Sequence, residues 1–168
     1  LESVSPSGTR AVCHLPVRRR DTVAPLAPVP PAPCAGQRLL VMDDEPGLRD
    51  ILHQALVCLG YTIEMAGDGP SALELHERAA QAGAPFAAAL LDLTMHGGMG
   101  GPEVARVLRA RDPGLRAILM SGYHHEEVFR DPVRHGFDAA LAKPFSMDRL
   151  TAVLTQVLGV PPPAARRV

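Results

Sequence analysis

The chain has 168 residues, of which 46% are hydrophobic, 4% aromatic and 21% charged, enough for one ordinary domain plus some unfolded length but not for two full cores. A formal net charge of −1 gives no broad basic field of the kind that draws proteins onto phosphate backbones or anionic lipid, so neither nucleic acid nor a membrane surface is expected as a partner. No apolar run reaches the roughly eighteen residues of a membrane span, and the three scattered cysteines, Cys13, Cys34 and Cys58, form no zinc or redox pair and fit a reducing cytoplasm.

Residues 1 to 17, LESVSPSGTRAVCHLPV, alternate polar and apolar around a Ser-Gly-Thr turn, the pattern of an edge strand or hairpin arm. The first residue is not Met and no basic-then-apolar secretory pattern follows it, so the chain reads as starting inside a longer frame. Residues 18 to 37 form a linker in which Val23 to Gly36 are almost all Pro, Ala and Val, a composition that extends the backbone and stiffens it. From residue 38 short apolar runs alternate with amphipathic stretches: RLLVM, PGLRDILHQALVCLG, YTIEMA, GPSALELHERAAQ and FAAALLD. After a Gly-rich loop come GPEVARVLRARD, LRAILMS, HHEEVFRDPVRHG, FDAALA and SMDRLTAVLTQVL.

Five strands and five helices are therefore predicted over residues 38 to 158. Strands written as continuous apolar runs are covered on both faces, and crossover helices supply the cover. The predicted fold is α/β, a flavodoxin-like doubly wound five-stranded parallel sheet. Pro46 suits a first helical turn, Gly60 a helix C-terminus, and Ser146 the start of the last helix. Residues 159 to 168, with three consecutive prolines and two arginines, have no core-forming pattern.

In an open parallel sheet, function gathers at the carboxyl ends of the strands. The first run ends in Asp43, Asp44 and Glu45, the third in Asp92, the fourth in Ser121 and the fifth in Lys143. Each alone reads as a helix cap or a solvated loop residue. Together they place several carboxylates against one hydroxyl and one ammonium. Crowded carboxylates either bind a proton more tightly or demand a cation, and an oxygen-only ligand set suits Mg²⁺. A carboxylate beside such an ion can attack phosphorus, and Asp92 is the best-placed candidate. Lys143 would hold a phosphoryl oxygen, and the Ser121 hydroxyl could donate to another once the group has arrived.

The blocks LLVMDDEP, ALLDLTMHGGMGG, ILMSGY and ALAKPF, in this order, resemble the conserved blocks of response-regulator receiver domains over residues 38 to 158. The resemblance implies that Asp92 forms an aspartyl phosphate, that Asp44 ligates Mg²⁺ directly and Asp43 through water, and that the Thr94 carbonyl completes the protein ligands. Ser121 and Lys143 match the family's switch hydroxyl and lysine, and Pro144 follows that lysine as in the family, where the peptide bond is commonly cis. One departure stands out. The position three before Lys143, which often carries an aromatic switch residue, is Ala140, and the neighbouring Phe137 reads as a packing residue at the start of the strand.

Gly97 to Gly101 lack the Lys-Ser/Thr ending of a nucleotide-binding P-loop and read as a tight turn beside Asp92. His76-Glu77-Arg78, on the second predicted helix, reads as a solvated face. His96, His124 and His125 lie near the site loops and could tune it. The front segment is similar to the closing strand of histidine-kinase ATP-binding domains, which makes residues 1 to 17 a remnant of such a domain. The expected parent is then a hybrid sensor kinase, membrane-attached or not, and this piece carries the phosphoacceptor without the phosphodonor or nucleotide motifs. The expected partners are a histidine-kinase phosphodonor domain in cis or trans and a downstream phosphotransfer protein. The alternative is a stand-alone regulator acting as a binding module.

Overall fold

The structure, a computed structural model, describes the backbone of residues 2–4 and 8–10 and the whole of residues 36–96, 98–122 and 129–159. Two units are separable along the chain, residues 1–30 and 31–168. In the first, β1 (Glu2–Val4) pairs antiparallel with β2 (Gly8–Arg10), Glu2 opposite Arg10, as the polar-apolar alternation predicts for a hairpin. The remainder of residues 1–17, the linker up to residue 35 and the tail from residue 160 lie outside the described residues.

The second unit runs β3 (Arg38–Met42), α1 (Pro46–Cys58), β4 (Thr62–Ala66), α2 (Gly69–Gln81), β5 (Ala88–Asp92), α3 (Gly101–Arg111), β6 (Arg116–Ser121), β7 (Ala139–Ala142) and α4 (Met147–Leu158). The five strands form one parallel sheet in the order β4-β3-β5-β6-β7. This is the predicted doubly wound arrangement. It follows from the sequence because a strand whose successive residues are all apolar must be covered on both faces. In β3, Leu39 and Val41 enter one core with Leu52 and Leu56 of α1 and Leu150 and Leu154 of α4. Leu40 and Met42 enter the other with Ala72 and Ala79 of α2 and Val104 and Leu108 of α3. All four β3 residues are fully buried, and each such side chain contributes about 2 kcal/mol relative to exposure.

Local signals set the element ends. Pro46 opens α1 and Gly60, at φ 83°, follows its C-terminus in the left-handed conformation that glycine adopts without strain. Asp68 caps α2 by accepting from the Ser71 amide at 2.8 Å, and Ser146 caps α4 through the Arg149 amide at 3.2 Å. Phe137 is buried against the α2/α3 face just ahead of β7, the packing role expected of it.

One expectation is corrected in part. Of the helix predicted over HHEEVFRDPVRHG, residues 123–128 lie outside the described residues, and the C-terminal portion is a 3-10 turn, Pro132–His135. Proline has no amide hydrogen and disfavours helical backbone in the residue before it. Asp131 is accordingly non-helical, at φ −144° and ψ 73°, and its side chain accepts from the Arg134 amide at 3.3 Å, so the helix that ends at Arg130 cannot run through. Four α-helices lie wholly among the described residues, and Phe129 and Arg130 are the helical end of a further one.

Candidate phosphoacceptor site

The connection leaving β3 goes to one side of it, to β4, and β5 returns on the other side, so the carboxyl ends of β3 and β5 flank the crevice where the winding reverses. Asp43 and Asp44 follow β3, and Asp92 ends β5 beside them. Asp43 is fully buried. Its Oδ1 accepts from the Glu45 amide at 2.9 Å and its Oδ2 from Lys143 Nζ at 2.5 Å. Lys143, the first residue after β7, reaches Asp92 Oδ1 as well, at 2.9 Å. Carboxylate oxygens of Asp43, Asp44 and Asp92 lie within 4.8 Å of one another. The sequence-predicted carboxylates and lysine are thus brought together.

Ser121, which ends β6 and is buried, joins this end of the sheet, its carbonyl accepting from the Lys143 amide at 2.7 Å. Thr94 sits on the exposed loop that leaves β5, two residues past Asp92. The Lys143–Pro144 peptide bond is cis. Ala140, in the position where the family often has an aromatic, is an inward-facing residue of β7 in the α2/α3 core.

The charges do not balance locally. Lys143 pairs with two of the three carboxylates, Asp43 and Asp92, and Asp44 is paired with His96. Burial raises the Asp92 carboxyl above its ordinary value, and the hydrogen bond and charge of Lys143 offset this only in part. For Lys143, burial opposes the charge, but hydrogen bonds to Asp43 and Asp92 outweigh it and hold the ammonium above its usual range. Asp44 is held below the ordinary range, first by the His96 amide, which donates to its Oδ2 at 3.0 Å, and then by the His96 ring, whose Nδ1 is 2.5 Å from the same oxygen. The ring's own affinity for a proton is raised by that bond.

Sequence reasoning missed Arg49. From α1 its Nη1 donates to the Asp43 carbonyl at 2.6 Å, bracing the end of β3. The Gly-rich loop makes a close approach rather than a phosphate cradle: a Cβ on Gly101 would meet the Asp92 carbonyl oxygen at 2.5 Å, and one on Gly100 the Leu93 carbonyl oxygen at 2.9 Å. His76 is a correction. Glu77 and Arg78 are exposed as read, but His76 is buried, its Nε2 3.8 Å from Asp112 Oδ2, because it falls on the same face as Ala72 and Ala79. His124 and His125 lie outside the described residues.

A parallel doubly wound sheet with three carboxylates and a lysine at its switch point has the form of a phosphoacceptor module. The chain belongs to the response regulator receiver domain family, whose sequence model matches residues 39–155. It is 34% identical over 120 residues to the probable transcriptional regulatory protein TcrX of Mycobacterium tuberculosis, covering 71% of this chain and 49% of that one. It is 31% identical over 120 residues to the sensor kinase CckA of Brucella abortus, covering 71% of this chain and 12% of that one. Among solved structures, the response regulator TrrA of Thermotoga maritima in complex with Mg²⁺-BeF superposes with a TM-score of 0.61 at 30% identity, covering 73% of this chain and 99% of that one. The chain spans between 12% and 50% of the first curated relatives it matches. Its homologues are phosphoacceptor regulators of two-component phosphorelays, and this is such a receiver domain. No helix among the described residues is long and apolar enough to cross a membrane.

Proposed function

We propose that Asp92 accepts a phosphoryl group from a phosphohistidine, and that the observation carrying this is its place at the mouth of the carboxylate cluster, 2.9 Å from Lys143. In the transfer, an Asp92 carboxylate oxygen bonds to phosphorus as the phosphorus–nitrogen bond of the donor breaks, and the donor imidazole leaves with the electron pair and is protonated by solvent. Lys143 holds a phosphoryl oxygen as a point charge while keeping Asp43 paired. Ser121 donates to another phosphoryl oxygen once the group is in place, which ties phosphorylation to the end of β6.

The donor set fits a hard cation: the oxygens of three carboxylates lie close together with a single ammonium to offset them. Asp44, Asp92 and the Thr94 carbonyl would hold Mg²⁺, with Asp43 acting through water. Bound there, the ion would screen the repulsion between Asp92 and the incoming phosphoryl oxygens.

We further read residues 1 to 17 as the end of a histidine-kinase ATP-binding domain, joined by the linker at residues 18 to 37 to the receiver at 38 to 158, with residues 159 to 168 as tail. The support is the Glu-Ser and Gly-Thr pattern of the front segment, its hairpin, and the likeness of the receiver to part of a sensor kinase. The donor is then a histidine-kinase domain in cis or trans.

The test is intact mass after incubation with acetyl phosphate and Mg²⁺, beside Asp92→Asn and a chelator control. One phosphoryl group is gained by the natural chain with metal and by neither control. A gain retained by Asp92→Asn would remove Asp92 from its assigned role.

A further inference from the structure

Arg49 is half-buried on α1 beside the acid cluster, and among the described residues it pairs with no carboxylate. It reaches main chain instead: Nη1 donates to the Asp43 carbonyl at 2.6 Å. The sheet explains why that carbonyl needs a donor. The ladder between β3 and β4 makes its last rung where the Asp43 amide donates to the Ala66 carbonyl at 3.1 Å. In a parallel ladder of this register the following rung would run from the Asp68 amide to the Asp43 carbonyl. β4 ends at Ala66, and Asp68 turns away to cap α2, which would leave the carbonyl of a fully buried residue without a partner. The guanidinium takes the place of the missing rung. It lies against the turn at Gly67, where a Cβ would stand 3.4 Å from Nη1.

We infer that Arg49 is a positioning residue of the phosphoacceptor site, setting the plane of the Asp43–Asp44 peptide and, through it, the direction in which the Asp44 carboxylate meets those of Asp43 and Asp92. The inference rests on the Mg²⁺ site proposed above and adds no ligand to it. The Asp43 carbonyl and the Asp44 amide belong to one planar peptide unit. A donor held on the carbonyl therefore fixes the amide as well, and with it the bond along which Asp44 leaves the strand. Asp43 itself has little room to adjust, since its amide is tied to Ala66 and its carboxylate to Glu45 and Lys143. Any freedom in the peptide plane is passed to Asp44. Groups that orient a metal ligand from outside are worth about ten- to a hundredfold in metal affinity.

Two other roles for the guanidinium give different signs. As a counter-charge to the cluster it would repel a cation, and its removal would tighten binding. The Asp44 carboxyl, however, is shifted first by the His96 amide and the Asp92 carboxyl first by burial. As a brace for the fold alone, its removal would lower stability and leave the affinity of the folded chain as it was. As a positioning residue, its removal weakens binding in a chain that is still folded.

The experiment titrates the full chain, Arg49→Met and Arg49→Lys with MgCl₂ by calorimetry, with Asp44→Ala as the site control. Melting curves under chelator set a temperature at which every variant is folded. Methionine keeps much of the stem without a donor, and lysine keeps a donor on a shorter arm; Arg49→Gln, whose amide stops well short of the carbonyl, takes the place of Arg49→Met if that variant does not fold. The expected result is an Mg²⁺ affinity about tenfold lower in Arg49→Met and restored to within about threefold of the natural chain in Arg49→Lys. An affinity that Arg49→Met changes by less than about twofold overturns the inference in favour of a brace. Tighter binding overturns it in favour of a counter-charge, and a loss that Arg49→Lys shares in full overturns it because the donor is then not what matters. All three leave the metal site standing. Binding that survives Asp44→Ala, or no binding by the natural chain, removes the site and the inference together.

Discussion

The two ends of the sheet use their charged side chains differently. At the amino end Glu64 and Asp138 are each paired with guanidinium groups. Glu64 is paired with Arg38, which also donates to the Ala84 carbonyl and lies over the Phe86 ring at 4.9 Å. Asp138, just before β7, accepts from Arg109, from Arg116 at 3.2 Å and from the buried Ala117 amide at 2.8 Å. At the carboxyl end three carboxylates gather around one ammonium. Charges that cancel close a structure; charges that do not cancel leave a demand that a ligand must meet. The imbalance, more than the presence of acids, separates the site from the scaffold.

Removing the only ammonium sharpens that contrast most. Lys143→Ala leaves fully buried Asp43 without its cation, and stability under chelator falls by about 3 kcal/mol. Mg²⁺ restores part of the loss, read as a rise in Tm with metal larger than that of the natural chain; equal metal-induced rises in the two proteins would break the comparison. At the other end, Asp138→Ala strands the Ala117 amide and two guanidinium groups, lowering stability by about 1–3 kcal/mol with no change in metal affinity. Calorimetry on that variant checks the second clause, and a shifted metal affinity would show that the two ends are not independent.

The smallest effect has the opposite sign. Because burial holds the Asp92 carboxyl above its ordinary 3.8, the folded chain binds more protons than the unfolded one between 3.8 and that raised value, and stability falls there as pH rises. Asp92→Asn removes this penalty. Under chelator its Tm at pH 7 exceeds that of the natural chain by about 2–4 °C, and the advantage shrinks as pH falls through the raised pKa and is gone below 3.8. Melting curves from pH 3 to 8 test it, and a variant less stable at pH 7 would mean that the Lys143 contact outweighs desolvation.

The sheet was legible because four of its five strands are apolar runs with a polar terminator, so the residue that stops burial is also the residue presented at the crevice: Asp43 and Asp44, Asp92, Ser121 and Lys143 all follow this rule. Contacts between parts distant in sequence were not legible. Nothing local ties His96 to Asp44, 52 positions away, or Arg109 to Asp138. His76 is a different case. Its spacing from Ala72 and Ala79 marks the inner face of α2, but a histidine at a polar-looking triplet hides that periodicity. The helix before Pro132 stops short of its predicted end for a third reason, since the stretch read as one helix runs through a proline whose backbone cannot continue it.

Gly101 has a consequence for how a signal could leave Asp92. The first residue of α3 has no room for even a methyl group against the Asp92 carbonyl, so the helix and the phosphoacceptor strand meet backbone to backbone, with no compressible side chain between them. A displacement of the Asp92 main chain would be handed to α3 with little damping. A spin label on the exposed face of that helix is therefore a natural listening post, while Gly101→Ala would force the two backbones apart and alter what it hears.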